Sequence, residues 1–386
     1  MRVAHVITRL IVGGAQENTV ATVFGLRAKP DVEVSLISGP TTGPEGTLEP
    51  RFTEHPGLLT VIPELVRPVH PWKDALAWQR LKQIFSDTRP DIVHTHSGKA
   101  GVIGRLAARS ARVPIIIHTI HGPSFGDFQG AIANAIFLRA ERIAARATTH
   151  FVVVANAMRD QHLRAGIGRP EMFTRIFSGF DLAPFLAANN SAEMRARLGL
   201  EPEDFVVGKI ARLFKLKGHD DLFAIAPALV AQHPRMKFLF VGDGLWRGRF
   251  EAMARELKLE KRFIFTGLVP PEAVPDFVGV MDAVVHLSRR EGLARALPQA
   301  LAAARPVIAY DCDGAAEVCI ENETGFLVKP GDLGTLRERI GLLARDAALC
   351  ERLGQRGRAM VKENFSVERM VAQIDALYRR LLAVNR

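Results

Sequence analysis

The sequence predicts an α/β protein built of two doubly wound, Rossmann-like parallel-sheet domains that face each other across a cleft. Three observations predict it. The chain has 386 residues, which at roughly 100–200 residues per domain leaves room for two. Short, nearly all-apolar runs alternate with helix-length segments, the pattern left by strands buried on both faces of a parallel sheet. In the second half of the chain that alternation begins again.

In the first set, the strand-like runs are VAHVI (3–7), VEVSLIS (32–38), DIVHTH (91–96), PIIIHTIH (114–121) and HFVVVA (150–155). Helical patterns such as 73–87 and 99–110 lie between them. The second set is DFVVGKIAR (204–212), MKFLFVG (236–242), RFIFTG (262–267), AVVHLS (283–288) and PVIAY (306–310). The stretch FLAANNSAEMRARLG (185–199) reads as the linker between the sets. It separates a domain of residues 1–185 from a donor-binding domain of 186–367. The chain from Gly334 onward reads as helical, and its last helix, about 368–386, is expected to pack back on the first domain.

Composition narrows the function. A 48% hydrophobic content suits two buried cores, and 24% charged residues is ordinary for a globular chain. The three cysteines, Cys312, Cys319 and Cys350, form no CxxC pair, which argues against a disulfide framework or a cysteine zinc site. Arg9 interrupts the apolar N-terminal run, so a first strand is expected there rather than a signal peptide. No run approaches the ~18 apolar residues of a membrane span. A cytoplasmic protein is expected.

The net charge of +10 attracts polyanions, anionic lipid surfaces or phosphorylated substrates. No nucleic-acid-binding motif accompanies it, so no nucleic-acid partner is expected. Residues 101–180 hold ten arginines against four acidic residues. Arg139, Arg142 and Arg146 recur there at helical spacing, a pattern suited to resting on the inner face of a membrane.

Three constellations carry chemistry. Gly13 and Gly14, in GGAQ after the first strand, allow close backbone approach at a helix start. In IARLFKLKG (210–218), Arg212, Lys215 and Lys217 follow a strand end, where cations suit a diphosphate. In SRREGLARALPQALAAARP (288–306), backbone N–H groups of Gly292, Leu293 and Ala294 can face a phosphate. Glu291 can accept hydrogen bonds from sugar hydroxyls, and Gln299, two helical turns on, can reach a ribose.

Taken together with DIVHTHSGKAGVIGRLAAR (91–109), HTIHG (118–122), FSGFD (177–181), VGDG (241–244), FTG (265–267) and TGFLVKPGD (324–332), these segments resemble the retaining glycosyltransferases of family 4, the group 1 glycosyl transferases with the GT-B fold. The similarity runs over nearly the whole chain. It implies an activated nucleotide sugar, UDP- or GDP-linked, as co-substrate, with no metal and no other cofactor. Arg212 and Lys217 match the pair that grips the donor diphosphate, and Glu291 matches the first residue of a paired-glutamate motif that contacts the donor sugar. Gly292, Leu293 and Ala294 match the phosphate turn. Gly242 and Gly267 fall on donor-domain loops, His121 matches a histidine near the donor sugar, and Gly13 and Gly14 match the acceptor-domain loop.

The resemblance further implies a glycan or lipid-linked acceptor in cell-surface polysaccharide or lipopolysaccharide synthesis. The segment 123–135 is a candidate acceptor wall. There are departures from the pattern. Gln299 stands in place of the second glutamate, Ala304 in place of a glycine before the x-Pro, Ser178 in place of an asparagine, and DGAAE (313–317) in place of GGxxE.

A metal cluster of His94, His96, His118 and His121 is weighed against packed or polar cleft histidines, and no metal is expected. Two other functions share this architecture. One is a nucleotide-sugar epimerase, which needs no acceptor. The other is a non-catalytic nucleotide-sugar-binding protein, a reading kept open by Gln299.

Overall fold

The computed structural model of the chain describes residues 1–43, 46–126 and 129–384. The chain divides into two compact units. One comprises Met1–Phe180 with the segment from Val367 onward, and the other comprises Asp181–Ser366.

The first unit holds seven parallel strands: β1 (Arg2–Ile7), β2 (Glu33–Ser38), β3 (Leu59–Val61), β4 (Ile92–His96), β5 (Ile115–Ile120), β6 (His150–Val153) and β7 (Phe173–Arg175). They lie in the order β3-β2-β1-β4-β5-β6-β7. Every residue of β4 and β5 is buried, which is why these runs show no polar alternation. Helices α1 (Gly14–Arg27), α2 (Pro71–Thr88), α3 (Gly98–Ser110), α4 (Ala131–Ala145) and α5 (Asn156–Arg164) make the crossovers. Helix α2 starts where Pro71 takes a position needing no N–H and the His70 ring accepts a hydrogen bond from the Lys73 N–H at 3.3 Å. It stops at Arg89, in the left-handed region with φ 44°.

Helices α3 and α4 are joined by an ion pair that water does not reach. Arg105 Nη2 donates to Glu141 Oε1 at 2.7 Å. The guanidinium also donates to Gly101 O at 2.7 Å and Thr148 Oγ1 at 3.2 Å.

The second unit opens with α6 (Ala183–Ala187) and α7 (Ala192–Arg197). The stretch 185–199, expected as a linker, is therefore packed structure. Phe185 and Met194 are buried, and the Arg195 guanidinium donates to the carbonyls of Glu201 at 2.6 Å and Asp204 at 2.7 Å. Strands β8 (Phe205–Ile210), β9 (Met236–Val241), β10 (Phe263–Phe265), β11 (Ala283–His286), β12 (Val307–Tyr310) and β13 (Gly325–Val328) form a parallel sheet in the order β10-β9-β8-β11-β12-β13. Helices α8 (His219–Gln232), α9 (Arg247–Glu256), α10 (Val274–Gly279), α11 (Ala296–Ala302), α12 (Leu333–Arg345) and α13 (Ala347–Asn364) connect and cover it.

The last helix, α14 (Val367–Val384), belongs to the first unit. Its Val371, Ile374, Leu377 and Tyr378 are buried in a cluster with Val3, Ile92 and Ile115 of the sheet. Fully burying an aliphatic side chain is worth about 1.5–3 kcal/mol, so three such residues dock this helix firmly.

Candidate active site

In doubly wound sheets, ligands meet the carboxyl ends of the strands. In the second unit, two loops meet at that edge. The first leaves β8 and runs through Arg212 to Lys217. Arg212, two residues past the strand, is exposed. The loop closes at Gly218, whose φ of 70° favours glycine and where a Cβ would lie 2.2 Å from the Leu287 carbonyl oxygen. That close approach brings the loop against the one leaving β11. Arg289 N donates to Leu216 O at 2.9 Å, and the Ser288 hydroxyl lies 3.3 Å from Glu291 Oε1.

The second loop is anchored at both ends. The Arg289 guanidinium and the Tyr310 hydroxyl both donate to Asp221 Oδ2, at 2.8 and 2.7 Å. Glu291 N donates to Asp313 Oδ2 at 2.7 Å, and Gly314 N to Gly292 O at 3.0 Å. Between these anchors, Lys217 Nζ forms an ion pair with Glu291 Oε1. Burial alone would raise the Glu291 carboxyl, but Lys217, His286 and the hydrogen bond from Ser288 hold it below its ordinary value.

Below the pair lie groups that sequence reasoning missed. Lys209, on β8, is 1% exposed, and its Nζ has no hydrogen-bond partner among the described residues. Burial, with Lys217 adding repulsion, lowers it to about 7. Burial also lowers His286 to about 3 and His219 to about 2. A charge and two imidazoles inside apolar strand and helix patterns are the only sequence signal for this set.

The remaining predicted residues fall as follows. Helix α11 begins at Ala296, with Pro298 in its first turn, and is seven residues long. The turn of Gly292, Leu293 and Ala294 therefore precedes the helix rather than forming its first turn. Gln299 lies half-buried on α11, with its N–H bonded to Arg295 O at 3.0 Å. Gly242 has φ 133°, and a Cβ there would meet Ala211 O at 2.4 Å, so only glycine lets the β8 and β9 loops touch. Its N–H donates to Gly267 O at 3.2 Å.

In the first unit, Gly14 opens α1 and is exposed. Gly13 has φ 175°, extended backbone that any residue adopts. The turn itself therefore does not demand glycine. His121 follows β5 half-buried, with its Nε2 3.1 Å from His96 Nδ1 and its ring lowered to about 4 by burial. His118 packs over Gly101 and hydrogen-bonds Thr95 Oγ1 at 2.9 Å. Of the candidate acceptor wall 123–135, residues 127 and 128 lie outside the described residues.

The first unit also holds a cavity of about 620 Å³ at the carboxyl edge of its sheet, lined in part by Arg9, Arg67, Lys99, Val69, Ile136 and Phe137. Lys99 is paired there with Asp74.

The profile of the family Glycosyl transferases group 1 matches residues 190–360, and that of Glycosyltransferase Family 4 matches residues 12–183. The chain is 26% identical over 387 residues to the UDP-Gal:alpha-D-GlcNAc-diphosphoundecaprenol alpha-1,3-galactosyltransferase of Escherichia coli, covering 98% of this chain and 96% of that one. It is 26% identical over 333 residues to the capsular polysaccharide biosynthesis glycosyltransferase CapM of Staphylococcus aureus, covering 83% and 85%. Among solved structures, Anabaena HepE in complex with UDP and glucose superposes with a TM-score of 0.82 at 22% identity, covering 98% of this chain and 100% of that one. Sucrose-phosphate synthase of Thermosynechococcus elongatus superposes with a TM-score of 0.80 at 21% identity over all of both chains. The two profiles fall mainly on one unit each, and the solved structures share the fold: the chain belongs to the group 1, family 4-like glycosyltransferases and has their GT-B fold.

Proposed function

We propose that this glycosyltransferase moves a hexose from a UDP- or GDP-sugar to a glycan or lipid-linked acceptor in cell-surface polysaccharide or lipopolysaccharide assembly, with retention of anomeric configuration and without a metal or other cofactor. The observation that carries this reading is the Lys217–Glu291 pair, held where β8 and β11 end. It sets a cation for a leaving diphosphate beside a carboxylate for sugar hydroxyls.

In this mechanism Arg212 and Lys217 bind the diphosphate, and the turn at Gly292, Leu293 and Ala294 supplies backbone N–H groups. Gln299 takes the ribose, Gly242 and Gly267 border the base, and Gly13 and Gly14 face the acceptor. His121 lies by the donor sugar. As the bond from C1 to the phosphate oxygen breaks, Lys217 and Arg212 neutralise the charge that develops on the phosphate, where preorganised cations contribute most. The acceptor hydroxyl bonds to C1 on the same face and gives its proton to the departing phosphate oxygen.

The donor and acceptor in the name of the E. coli relative support a UDP-sugar and a lipid diphosphate. The cationic and apolar lining of the first-unit cavity suits such an acceptor. No described helix is long and apolar enough to cross a membrane. We read the protein as cytoplasmic and resting on the inner membrane face through α4.

The test offers UDP- and GDP-hexoses with a short prenyl diphosphate-linked sugar, after exhaustive chelation, and reads the product's anomeric coupling by NMR. An α-linked donor giving an α-linked product is expected. An inverted product, or activity that returns only with added metal, would contradict the reading.

A further inference from the structure

Inside the first unit lies a set of groups of which sugar transfer, as described, uses only His121. His5 of β1, His94 and His96 of β4, His121 and Tyr378 of α14 form one continuous hydrogen-bonded series. The Tyr378 hydroxyl lies 2.5 Å from His94 Nδ1 and 3.3 Å from His5 Nε2. His5 Nδ1 lies 2.9 Å from His96 Nε2, and His96 Nδ1 lies 3.1 Å from His121 Nε2. At the other end, His94 Nε2 lies 2.6 Å from Thr119 Oγ1. His5, His94 and Tyr378 are wholly buried, and the His94 and His96 rings stack with centroids 4.4 Å apart. Burial holds all four imidazoles neutral, lowering His5 to about 3, His121 to about 4 and the other two well below their ordinary value.

A neutral imidazole has one N–H and one lone pair. Two proton arrangements then satisfy every link and also use the Tyr378 O–H. In the first, Tyr378 donates to His94 Nδ1, and His94 donates from Nε2 to Thr119. His5 donates from Nε2 to the Tyr378 oxygen, His96 from Nε2 to His5, and His121 from Nε2 to His96. All four rings carry the proton on Nε2, and His121 presents a bare Nδ1. In the second, every sense reverses and His121 Nδ1 carries the proton. Any mixture sets two lone pairs or two N–H groups against each other, or leaves the Tyr378 O–H without an acceptor, in a dry interior, at a cost of about 1–3 kcal/mol. The two contacts of Tyr378 select the first arrangement, against the 2.6 Å contact of Thr119, which taken alone fits the reverse. O–H donors make shorter bonds than N–H donors, and the short contact of Tyr378 is the one to His94.

We propose that Tyr378, His5 and His96 are positioning residues that fix His121 as the Nε2–H tautomer, so that its Nδ1 accepts a hydrogen bond from a hydroxyl of the donor sugar. The effect on catalysis rests on the reading of His121 given above, but the tautomer itself does not. A terminal helix more than 280 residues from His94 in sequence thereby sets the polarity of a ring at the sheet's carboxyl edge. The nitrogens of His5, His94 and His96 also lie within 4.8 Å of one another, close enough to hold a metal ion. In this proposal they are occupied by one another and by Tyr378.

The full chain, labelled with 15N-histidine, tests this by side-chain NMR at neutral pH without substrate. Expected are four neutral Nε2–H rings at His5, His94, His96 and His121. Tyr378→Phe should scramble the tautomers of His5, His96 and His121. It should also lower kcat about fivefold, the worth of one hydrogen bond, with little change in donor KM. A His121 ring bearing its proton on Nδ1, tautomers unmoved in Tyr378→Phe, or one equivalent of zinc in elemental analysis would each overturn the proposal. His121→Ala separates the two layers. Normal activity there would remove His121 from the sugar site and with it the catalytic half of the proposal, whatever the spectra show.

Discussion

Two residues at the edge of the second sheet adopt left-handed backbone where the family pattern has glycine: Ala304 with φ 55° and Asp313 with φ 50°. They differ in what the side chain returns. Ala304 gains nothing from its Cβ, and a left-handed L-residue costs roughly 1–2 kcal/mol. Ala304→Gly should therefore raise stability by about 1 kcal/mol after glycine's own entropic cost, as read by urea denaturation. A loss of stability would show that the methyl group packs usefully. Asp313 uses its carboxylate to hold the Glu291 N–H. Asp313→Gly should relieve the same backbone but weaken donor binding about fivefold, the worth of one hydrogen bond, as read by calorimetric titration. At this scale the sequence told only part. Lys217 and Glu291 lie 74 residues apart, and only the family resemblance joined them. Lys209 and Tyr378 sit inside apolar patterns, where a single polar residue carries no spatial information.

Among the elements, the long apolar strands were legible because each is buried on both faces, so β4 and β5 read as unbroken runs. β3 and β7 were not, since LTV and FTR are three residues each with a polar centre, whereas β10, as short and also at an edge, is the all-apolar FIF. The 185–199 stretch misled because its paired asparagines resemble a loop, while Phe185 and Met194 anchor it. Helix α4 was flagged for its arginines, and the structure adds that Ile132, Ile136 and Ile143 are 80%, 61% and 44% exposed. In flotation with anionic vesicles at low salt, wild type should rise with the lipid and a double variant, Ile132→Glu with Ile136→Glu, should not. Equal flotation of both would place membrane contact elsewhere. The same helix is fixed by Glu141. Glu141→Ala leaves Arg105 charged and dry, and should cost roughly 3 kcal/mol in denaturation, where a cost below about 1 kcal/mol is the mark of a solvated pair.

For the molecule as a whole, buried neutral histidines in both units link stability to pH. His5, His121 and His150 in the first unit and His219 and His286 in the second all lie well below 6.5, in each case chiefly through burial. The unfolded chain takes up protons near pH 6.5 that the folded chain refuses. Their contribution is thus complete above pH 6.5 and is lost as pH falls toward the folded values. Each histidine removes about 1.4 kcal/mol per pH unit within that window. The melting temperature should fall steeply between pH 6.5 and 5, and a flat profile would show that water reaches these rings. We propose that the second unit, through Arg212 and Lys217, carries the cations for the donor's diphosphate. Thermal melting of wild type, Arg212→Ala, Lys217→Ala and the first-unit control His121→Ala with UDP and GDP tests it most directly. Wild type and His121→Ala should gain about 2.7 kcal/mol at a hundredfold excess of the preferred nucleotide over its Kd. The two second-unit variants should lose most of that gain at the same concentration. Equal stabilisation of all four proteins would contradict the account.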